Sequence, residues 1–194
     1  MHAEVLDIGC WSGSIGKFLI EERSAEVDGI EPDTRMAEIA ALSYRRVIGT
    51  PVEEALAEGL AATSAAAYDA LIFFDVLEHL ADPCAVLREC RGLLKAPGRG
   101  FISLPNVAHW SVRKELALGR WRYTESGLLD RTHLRFFTIE TAWELLLDCG
   151  WEIVWQGAAI GQPPLVTLSE RRLQVLARWP ALFGVQILFE VRPV

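Results

Sequence analysis

The first residues able to do chemistry form a glycine loop near the N-terminus, where Asp7 is followed by Gly9 and Gly13. An apolar run that ends in an acid, then a glycine turn, then helical spacing is how a doubly wound α/β domain opens a nucleotide crevice. Glycine is needed there because the backbone must turn sharply and approach a ligand closely. A dinucleotide fingerprint would need glycines where Trp11 and Ser14 stand, so the register argues against an NAD-dependent oxidoreductase.

A second acid, Glu31, ends a short apolar stretch about 20 residues past the glycine loop. At that distance a carboxylate is placed to accept hydrogen bonds from ribose hydroxyls. Pro32 then blocks strand pairing, and Asp33 is placed to cap the next helix. The alternative for Glu31 is a strand-end acid that caps a neighbouring helix. We favour the ribose contact, because the glycine loop stands at the matching distance.

Acids and a histidine also follow the clearest apolar stretch of the chain, residues 68–74. A continuously apolar run predicts a central parallel strand that is buried on both faces. Asp75, Glu78 and His79 come directly after it. We therefore expect these side chains at the carboxyl edge of the sheet, where ligands bind in open α/β folds.

Two further histidines lie in an aromatic and basic region of an otherwise acidic chain. His109 follows the next apolar strand, and His133 lies in the sequence Leu-Asp-Arg-Thr-His-Leu-Arg-Phe-Phe-Thr. Histidine suits general-base catalysis near neutral pH, so both are candidate catalytic bases, and the sequence does not rank them. We interpret the region as a substrate-binding lid. The alternative is a helix and loop with solvated arginines, and the two histidines at the sheet edge argue against it.

The elements that position these groups alternate between strand and helix patterns. Strands are predicted near residues 5–8, 25–31, 45–49, 68–74, 101–104, 151–156 and 183–191. Residues 87–94 are expected to complete a helix, followed by a turn at 95–100, a loop at 162–164 and a basic-faced helix at 169–179. Thr50 is predicted to cap a helix whose first residue is Pro51, and Thr138 to cap a helix that runs through Cys149.

Composition narrows the classes of protein that the chain can belong to. Its 194 residues suit one domain, and 51% are apolar, which is typical of a globular protein. The net charge of −7 argues against a nucleic-acid-binding surface. No signal peptide and no apolar run of the roughly 18 residues that a membrane span needs are present, which predicts a cytoplasmic protein. Residues 173–189 could instead rest on a membrane surface, but Arg178, Pro180 and Gln186 interrupt them.

The cysteines are Cys10, Cys84, Cys90 and Cys149. None forms a CxxC pair or has the spacing of a zinc site. We interpret all four as buried thiols in a reducing compartment.

Two motifs together carry a resemblance to a known family. The pattern acid-x-Gly-x-Gly-x-Gly fits Asp7, Gly9 and Gly13, with Trp11 as the one departure, and resembles motif I of class I S-adenosylmethionine (SAM) methyltransferases. The sequence Asp-Val-Leu-Glu-His-Leu-x-Asp-Pro at 75–83 is similar to the same superfamily, and closest to the subgroup that includes ubiquinone-biosynthesis O-methyltransferases. The resemblance covers residues 5 to about 153.

The resemblance implies one SAM-methyltransferase domain over residues 1–194, with a lid insertion at about 106–137. The implied fold is Rossmann-like, a doubly wound, mostly parallel seven-stranded sheet whose last strand is antiparallel. Such folds usually carry a helix before the first strand. We therefore expect that an N-terminal helix is missing from this chain.

The resemblance also implies which residues contact the cofactor, SAM. These are Asp7, Gly9, Cys10, Trp11, Gly13, Glu31, Pro32, Thr50, Val52, Asp75, Val76 and His79. Thr50 stands where an acid often contacts adenine in the family, and Val52 or Glu53 is the alternative for that contact.

On the acceptor side, Asn106 and Arg131 are expected to face the substrate, together with His109 and His133 as candidate bases. Leu-Pro-Asn-x-x-His-Trp-x-x-Arg at 104–113 resembles methyltransferase domains found with bacterial glycan-assembly enzymes, and faintly the methionine-biosynthesis protein W family. The implied reaction is O-methylation of a small-molecule or glycan-linked acceptor. The sequence leaves the oligomeric state open.

Three of the residues after the apolar stretch at 68–74 are candidate ligands of a divalent metal, but we predict no metal site there. Asp75, Glu78 and His79 match positions where the ubiquinone subgroup can hold a divalent metal. Because Glu78 and His79 are adjacent, we expect them to point in different directions. We favour a His79 that hydrogen-bonds backbone near the cofactor.

The remaining alternative is a protein of the same fold that binds SAM or regulates a partner without catalysing a reaction. The missing middle glycine and Thr50 both allow it. Trp11 would then block the cofactor pocket instead of lining it.

Overall fold

A seven-stranded sheet is the centre of the fold in the computed structural model, which describes residues 2–60, 64–160 and 178–194. The strands are β1 (Glu4–Ile8), β2 (Glu26–Ile30), β3 (Arg46–Ile48), β4 (Tyr68–Phe74), β5 (Leu94–Pro105), β6 (Trp151–Ile160) and β7 (Gly184–Pro193). Their order is β3-β2-β1-β4-β5-β7-β6, and β7 is antiparallel to both of its neighbours while the other pairings are parallel. The predicted doubly wound class with an antiparallel last strand is confirmed.

Helices connect the parallel strands, and two of them begin at the capping residues that the sequence predicted, Asp33 and Thr138. They are α1 (Ser14–Arg23), α2 (Thr34–Ala40), α3 (Val52–Ala57), α4 (Pro83–Cys90), α5 (Trp110–Ala117), α6 (Ile139–Asp148) and α7 (Pro180–Phe183). Asp33 accepts from the Met36 N–H at the start of α2, as predicted, and Asp82 accepts from the Ala85 N–H at the start of α4. Thr138 and Thr141 form a capping box on α6.

The strand at the middle of the sheet is buried on both of its faces. Leu71 and Phe73 of β4 join one apolar cluster, and Ile72 between them joins the other. This two-sided burial is the reason that the sequence of β4 is continuously apolar rather than alternating. Because β1 lies between β2 and β4, the chain changes direction across the sheet there, and a crevice opens at the carboxyl ends of these strands.

Several predicted boundaries and one chemical assignment are wrong. Helix α3 begins at Val52 with Pro51 as its N-cap residue, so Thr50 does not cap it. Helix α4 ends at Cys90, and β5 starts at Leu94, so the predicted turn at 95–100 lies inside a strand. Strands β6 and β7 reach Ile160 and Pro193, because they pair along their length.

The cysteines are also not all thiols. Cys84 of α4 and Cys149 at the end of α6 form a disulfide, while Cys10 and Cys90 are free and buried. This pair has no local signature in the sequence, since the two residues meet only when both helices pack on one face of the sheet.

Two sequence predictions lie outside the described residues, namely the loop at 162–164 and most of the helix at 169–179. The start of the stretch at 173–189 lies outside them too. Among the helices that the structure does describe, none has the length and apolar character needed to cross a bilayer.

Candidate functional site

A cavity of about 610 Å³ opens at the carboxyl ends of β1, β2 and β4; we call it the first cavity. It lies at the point where the order of the strands reverses, as expected for a ligand site in this class of fold. Eight of the residues predicted to contact a cofactor line it: Gly9, Trp11, Glu31, Pro32, Val52, Asp75, Val76 and His79.

The glycine loop at 9–13 forms one wall of the first cavity. Gly9 has a φ of 69°, and a Cβ atom there would lie 2.5 Å from Val76 Cγ2. Only glycine fits this position, because any side chain would be strained and would collide with the loop after β4. The N–H groups of Gly9 and Cys10 both donate to the Ile30 carbonyl oxygen, at 2.8 and 3.1 Å, which ties the loop to the end of β2.

Trp11 occupies the position at which the family pattern has its middle glycine. Its φ is 48°, which is unusual for a residue with a side chain. The indole is 61% exposed and stands at the rim of the cavity. Trp11 therefore lines the space and does not fill it.

Glu31 is buried beneath the loop and uses both of its carboxylate oxygens. Oε2 accepts from the Trp11 N–H and Oε1 accepts from the Asp33 N–H, both at 2.8 Å. The carboxylate thus holds the loop and the start of α2 in place, while it also lines the first cavity. Each oxygen keeps a second lone pair, so the predicted ribose contact is compatible with these bonds.

Four predicted cofactor residues do not line the cavity. Asp7 is buried and accepts from the Tyr44 hydroxyl, and Cys10 lies in the smaller apolar cluster. Gly13 is the N-cap of α1 with a φ of 79°. The Thr50 hydroxyl is buried and has no hydrogen-bond partner among the described residues. The contact of these four residues with a cofactor stays a prediction.

A second cavity, of about 470 Å³, adjoins the first and shares Asp75 and His79 with it. Its other walls come from the lid region and from the start of β7. They include Glu78, Leu128, Asp130, His133, Val185 and Gln186. The two cavities therefore meet at the loop that follows β4.

Unpaired polar atoms concentrate around this second cavity. Both oxygens of Glu78, Nδ1 of His133 and Oε1 of Gln186 are buried without a hydrogen-bond partner among the described residues. Burial raises the pKa of Glu78 to about 8. Burial also lowers the pKa of His133, and the charge of His79 adds to this effect, so the imidazole of His133 is neutral near pH 7. Buried polar groups are normally paired, so this cluster indicates a binding site.

Residues 132–135, in the region predicted to be a lid, are joined to the loop after β4 by hydrogen bonds. The Glu78 carbonyl oxygen accepts from the N–H groups of Leu134 and Arg135, at 2.8 and 3.1 Å. The Arg135 guanidinium donates to the Ala81 carbonyl oxygen, and His79 Nδ1 lies 3.3 Å from the Thr132 carbonyl oxygen. These bonds place His133 beside Glu78.

Glu78, His79 and His133 also form a group that could hold a metal ion. Their ligand atoms all lie within 4.8 Å of one another, and His133 Nε2 is 3.9 Å from Glu78 Oε1. The expectation that Glu78 and His79 diverge is therefore wrong, because the lid brings His133 to a point where both face it. Asp75 is not part of this group. One carboxylate and two imidazoles make a ligand set that suits Zn²⁺ and similar cations.

The other predicted acceptor residues lie away from both cavities. His109 caps α5 with Nδ1 2.7 Å from the Ser111 hydroxyl, and burial lowers its pKa. Asn106 is fully buried; it donates to the carbonyl oxygens of Ala181 and Gly184 and accepts from the Ala108 N–H. Arg131 is largely exposed and pairs with Glu125. Their roles in binding or catalysis stay predictions.

Three contributors to the site were missed by sequence reasoning. Val185 and Gln186 reach the second cavity only because β7 inserts beside β5, a pairing more than 80 residues apart in the chain. Tyr44 supports the loop from beyond α2. Tyr44 stands next to two arginines in the sequence, and nothing near it indicates that its hydroxyl bonds Asp7 and the Gly16 N–H.

Comparisons with known proteins find related families and folds. A family model described as "Methyltransferase domain" matches residues 2–156. The ubiquinone biosynthesis O-methyltransferase of Leptothrix cholodnii is 35% identical over 105 residues, which are 53% of this chain and 44% of the relative. The enzyme of the same name from Paraburkholderia xenovorans is 36% identical over 103 residues, with the same shares of 53% and 44%. The chain thus spans less than half of the length of these curated relatives.

Solved structures share the fold at low sequence identity. A SAM-dependent methyltransferase from Archaeoglobus fulgidus has a TM-score of 0.68 and 20% identity, and the match covers 98% of this chain and 86% of that one. A putative SAM-dependent methyltransferase from Listeria monocytogenes has a TM-score of 0.67 and 18% identity, over 100% and 90% of the two chains.

Proposed function

The chain belongs to the methyltransferase-domain family, and from that premise we propose that it is a SAM-dependent O-methyltransferase. Its membership confirms the family predicted from the glycine loop and from residues 75–83. The proposed acceptor is a hydroxyl group on a small molecule or a glycan-linked substrate. The proposed unit is a single domain over residues 1–194, with residues 106–137 as the acceptor lid.

One observation carries the proposal: two cavities meet at Asp75 and His79. Transfer between two substrates needs both of them side by side, with the reacting atoms at a shared boundary. A protein that only bound a nucleoside would need the first cavity and not the second. The arrangement therefore favours an enzyme over a binding protein.

The first cavity fits the cofactor in size and in chemistry. Its volume of about 610 Å³ lies within the range of small-molecule sites. Glu31 at its wall offers carboxylate lone pairs for ribose hydroxyls, and the apolar side chains of Ile30, Pro32 and Val52 suit a flat purine ring. When bound, SAM supplies an activated methyl group on a sulfonium sulfur.

The second cavity would bind the acceptor and take its proton. A hydroxyl is a weak nucleophile until a base removes its proton at or before attack. His133 is neutral near pH 7 and faces this cavity, so its imidazole can accept that proton. Once His133 has taken the proton its imidazolium is a cation, and Glu78 Oε1 lies 3.9 Å from its Nε2.

The acceptor is expected to be neutral or cationic. The acids Asp75 and Asp130 line the second cavity together with Glu78, which is mainly protonated near pH 7, and Arg131 pairs with Glu125 on the surface. A phosphate or carboxylate on the acceptor would meet these acids, and none of the described residues on the cavity wall is an arginine or lysine that could pair with it. Hydroxyl groups can pair with the unpartnered oxygens of Glu78 and Gln186.

The proposal is tested with radiolabelled SAM and a panel of neutral phenols, sugars and glycosides, followed by mass spectrometry of the product. Formation of a methyl ether and of S-adenosylhomocysteine (SAH) in equal amounts would support it. Binding of SAH without transfer to any hydroxyl acceptor would favour the non-catalytic alternative. Absence of SAH binding at millimolar concentration in calorimetry would refute both.

A further inference from the structure

Tyr44 joins the two elements that flank the glycine loop. It lies between α2 and β3, and its side chain is buried. The hydroxyl donates to Asp7 Oδ2 at 2.5 Å and accepts from the Gly16 N–H at 2.9 Å. One side chain thus links β1, before the loop, to the first turn of α1, after it.

The glycines around Tyr44 make room for its ring. A Cβ atom at Gly16 would lie 2.2 Å from Tyr44 Cζ, and one at Gly29 would lie 2.8 Å from Tyr44 Cδ2. At Gly13 the distance to Tyr44 Cε1 would be 3.0 Å. Contacts under 3.0 Å are not tolerated between packed atoms, so two of these glycines are required by the ring. The loop and the ring fit each other.

The Asp7 carboxylate is a buried charge that depends on this hydroxyl. Burial raises the pKa of Asp7 to about 6, the Glu31 carboxylate adds to this rise, and the Tyr44 hydrogen bond opposes it. The other groups that face Asp7 remain neutral, since burial raises the pKa values of Cys10 and Tyr44 far above neutrality. Near pH 7 Asp7 is mainly ionised, and it is half protonated at about pH 6.

We propose that Tyr44 is a positioning residue for the cofactor loop at 9–13 and that its hydroxyl, acting through Asp7 and α1, sets the affinity for SAM. The inference rests on the proposed function, because the ligand of the first cavity is taken to be SAM. Tyr44 does not line that cavity, so it acts through the backbone that it holds. A loop with its buried carboxylate unpaired would lose the geometry that brings Gly9 and Trp11 to the ligand.

The chain offers a closely matched control in Tyr68. This second buried tyrosine donates to Asp28 Oδ2 at 2.8 Å, and Asp28 is as buried as Asp7. Tyr68 is the first residue of β4, at the edge of the sheet opposite to the first cavity. Tyr44→Phe and Tyr68→Phe therefore each remove a hydroxyl that donates to a buried aspartate, and only the first variant touches the loop. Asp28 keeps its bonds to Arg45 and Arg46 in the second variant, so that variant controls for loss of a buried hydroxyl and not for an unpaired carboxylate.

The experiment measures the dissociation constant for SAH by calorimetry between pH 5.5 and 8.5, alongside chemical denaturation of each variant. Tyr44→Phe is expected to weaken SAH binding about ten-fold at pH 7.5, as for loss of a hydrogen bond to a charged group. In wild type the SAH affinity should fall as the pH drops through about 6. In Tyr44→Phe this fall should occur at a higher pH, because Asp7 is then easier to protonate. Tyr68→Phe should change stability and leave both binding readouts at the wild-type values.

Equal SAH affinity and an equal pH profile in wild type and Tyr44→Phe would overturn the inference, and the proposed function would stand. Absence of SAH binding by the wild type would overturn the proposed function and the inference with it. If Tyr44→Phe fails to fold, Asp7→Asn decides, because it keeps an oxygen for the Tyr44 hydroxyl and loses the charge. In Asp7→Asn the SAH affinity should stay constant as the pH is lowered through 6. If the wild type also shows a constant SAH affinity from pH 5.5 to 8, the inference is overturned.

Discussion

The two cavities are built in opposite ways. Around the first cavity, Glu31 on the wall has a backbone N–H on each carboxylate oxygen, and Asp7 behind the loop has the Tyr44 hydroxyl. At the second cavity Glu78, Gln186 and His133 keep buried polar atoms with no partner among the described residues. The groups that shape the first site are bonded within the protein, whereas the second site offers polar atoms that a ligand could pair with.

This difference indicates that the two cavities have different roles. A loop whose polar groups are already paired can bind one unchanging ligand at low cost, because its own hydrogen bonds need not be rearranged on binding. Unpaired buried groups cost stability, and they are retained where a substrate, a proton or a cation will satisfy them. The first cavity therefore fits a fixed cofactor, and the second fits chemistry on an acceptor.

The largest expected effect would come from removing the proposed base. His133→Ala should lower the rate of methyl transfer by about 10²- to 10⁴-fold, the usual contribution of a general base. The affinity for SAH should change little, because His133 lines only the second cavity. Single-turnover rates with the identified acceptor and SAH calorimetry check the two halves of this prediction.

His109→Ala is the matched control for that variant. His109 caps α5 and lines neither cavity, so its loss should cost about 1 kcal/mol of unfolding free energy. The rate of methyl transfer should stay close to that of the wild type. If the two variants exchanged these effects, the base would be His109 and the second cavity would not be the acceptor site.

A second effect concerns the unpaired carboxyl of Glu78. Its pKa of about 8 in the folded protein lies above the ordinary 4.5, so folding favours the protonated form. The stability that this gives is complete below pH 4.5 and is lost as the pH rises through about 8. Glu78→Gln should therefore be more stable than the wild type at pH 9, by up to about 5 kcal/mol.

Urea denaturation with EDTA present, at pH 4.5, 6, 7.5 and 9, measures this difference in the metal-free protein. The gap between the two proteins should widen steadily with pH. A gap of constant size would mean that Glu78 is paired, and the contrast between the two cavities would then be lost.

Glu31→Gln tests the paired side of the comparison. The amide keeps one oxygen but turns an NH₂ group toward the N–H of either Trp11 or Asp33, so one backbone donor loses its acceptor. SAH affinity should fall by about ten-fold or more. Glu53→Gln, on the wall of the same cavity, should change it less, and equal effects in the two variants would exclude a special role for Glu31.

The smallest effect is expected at the cavity rim. Trp11→Ala should weaken SAH binding only a few-fold, since the indole stands at the rim of the cavity, where a bound ligand would cover part of one face. Calorimetry at pH 7.5 checks this value. A gain in affinity on removal of the indole would instead mean that Trp11 obstructs the cavity.

Much of the first cavity could be predicted from sequence because its parts are local. The loop at 9–13, Glu31 and Asp75 each follow directly on a strand, and the carboxyl ends of parallel strands meet at one edge. Strand β4 was clear for a similar reason, since its apolar run alone indicates burial on both faces.

The second cavity could be predicted only in part. His133 and the lid carried a signal in their residue types, but the partner of His133 depends on how residues 132–135 dock on Glu78 and His79. Gln186 and the Cys84–Cys149 disulfide depend on pairings between distant elements. Asn106 has a polar side chain at the expected edge, yet its amide is used to join β5 to the segment before β7.

A crystal structure with SAH bound would test the central claim most directly. We predict the nucleoside in the first cavity, with its ribose hydroxyls on Glu31 and its sulfur at the boundary of Asp75 and His79, open toward His133. A nucleoside bound elsewhere, or a sulfur that faces away from the second cavity, would contradict the account.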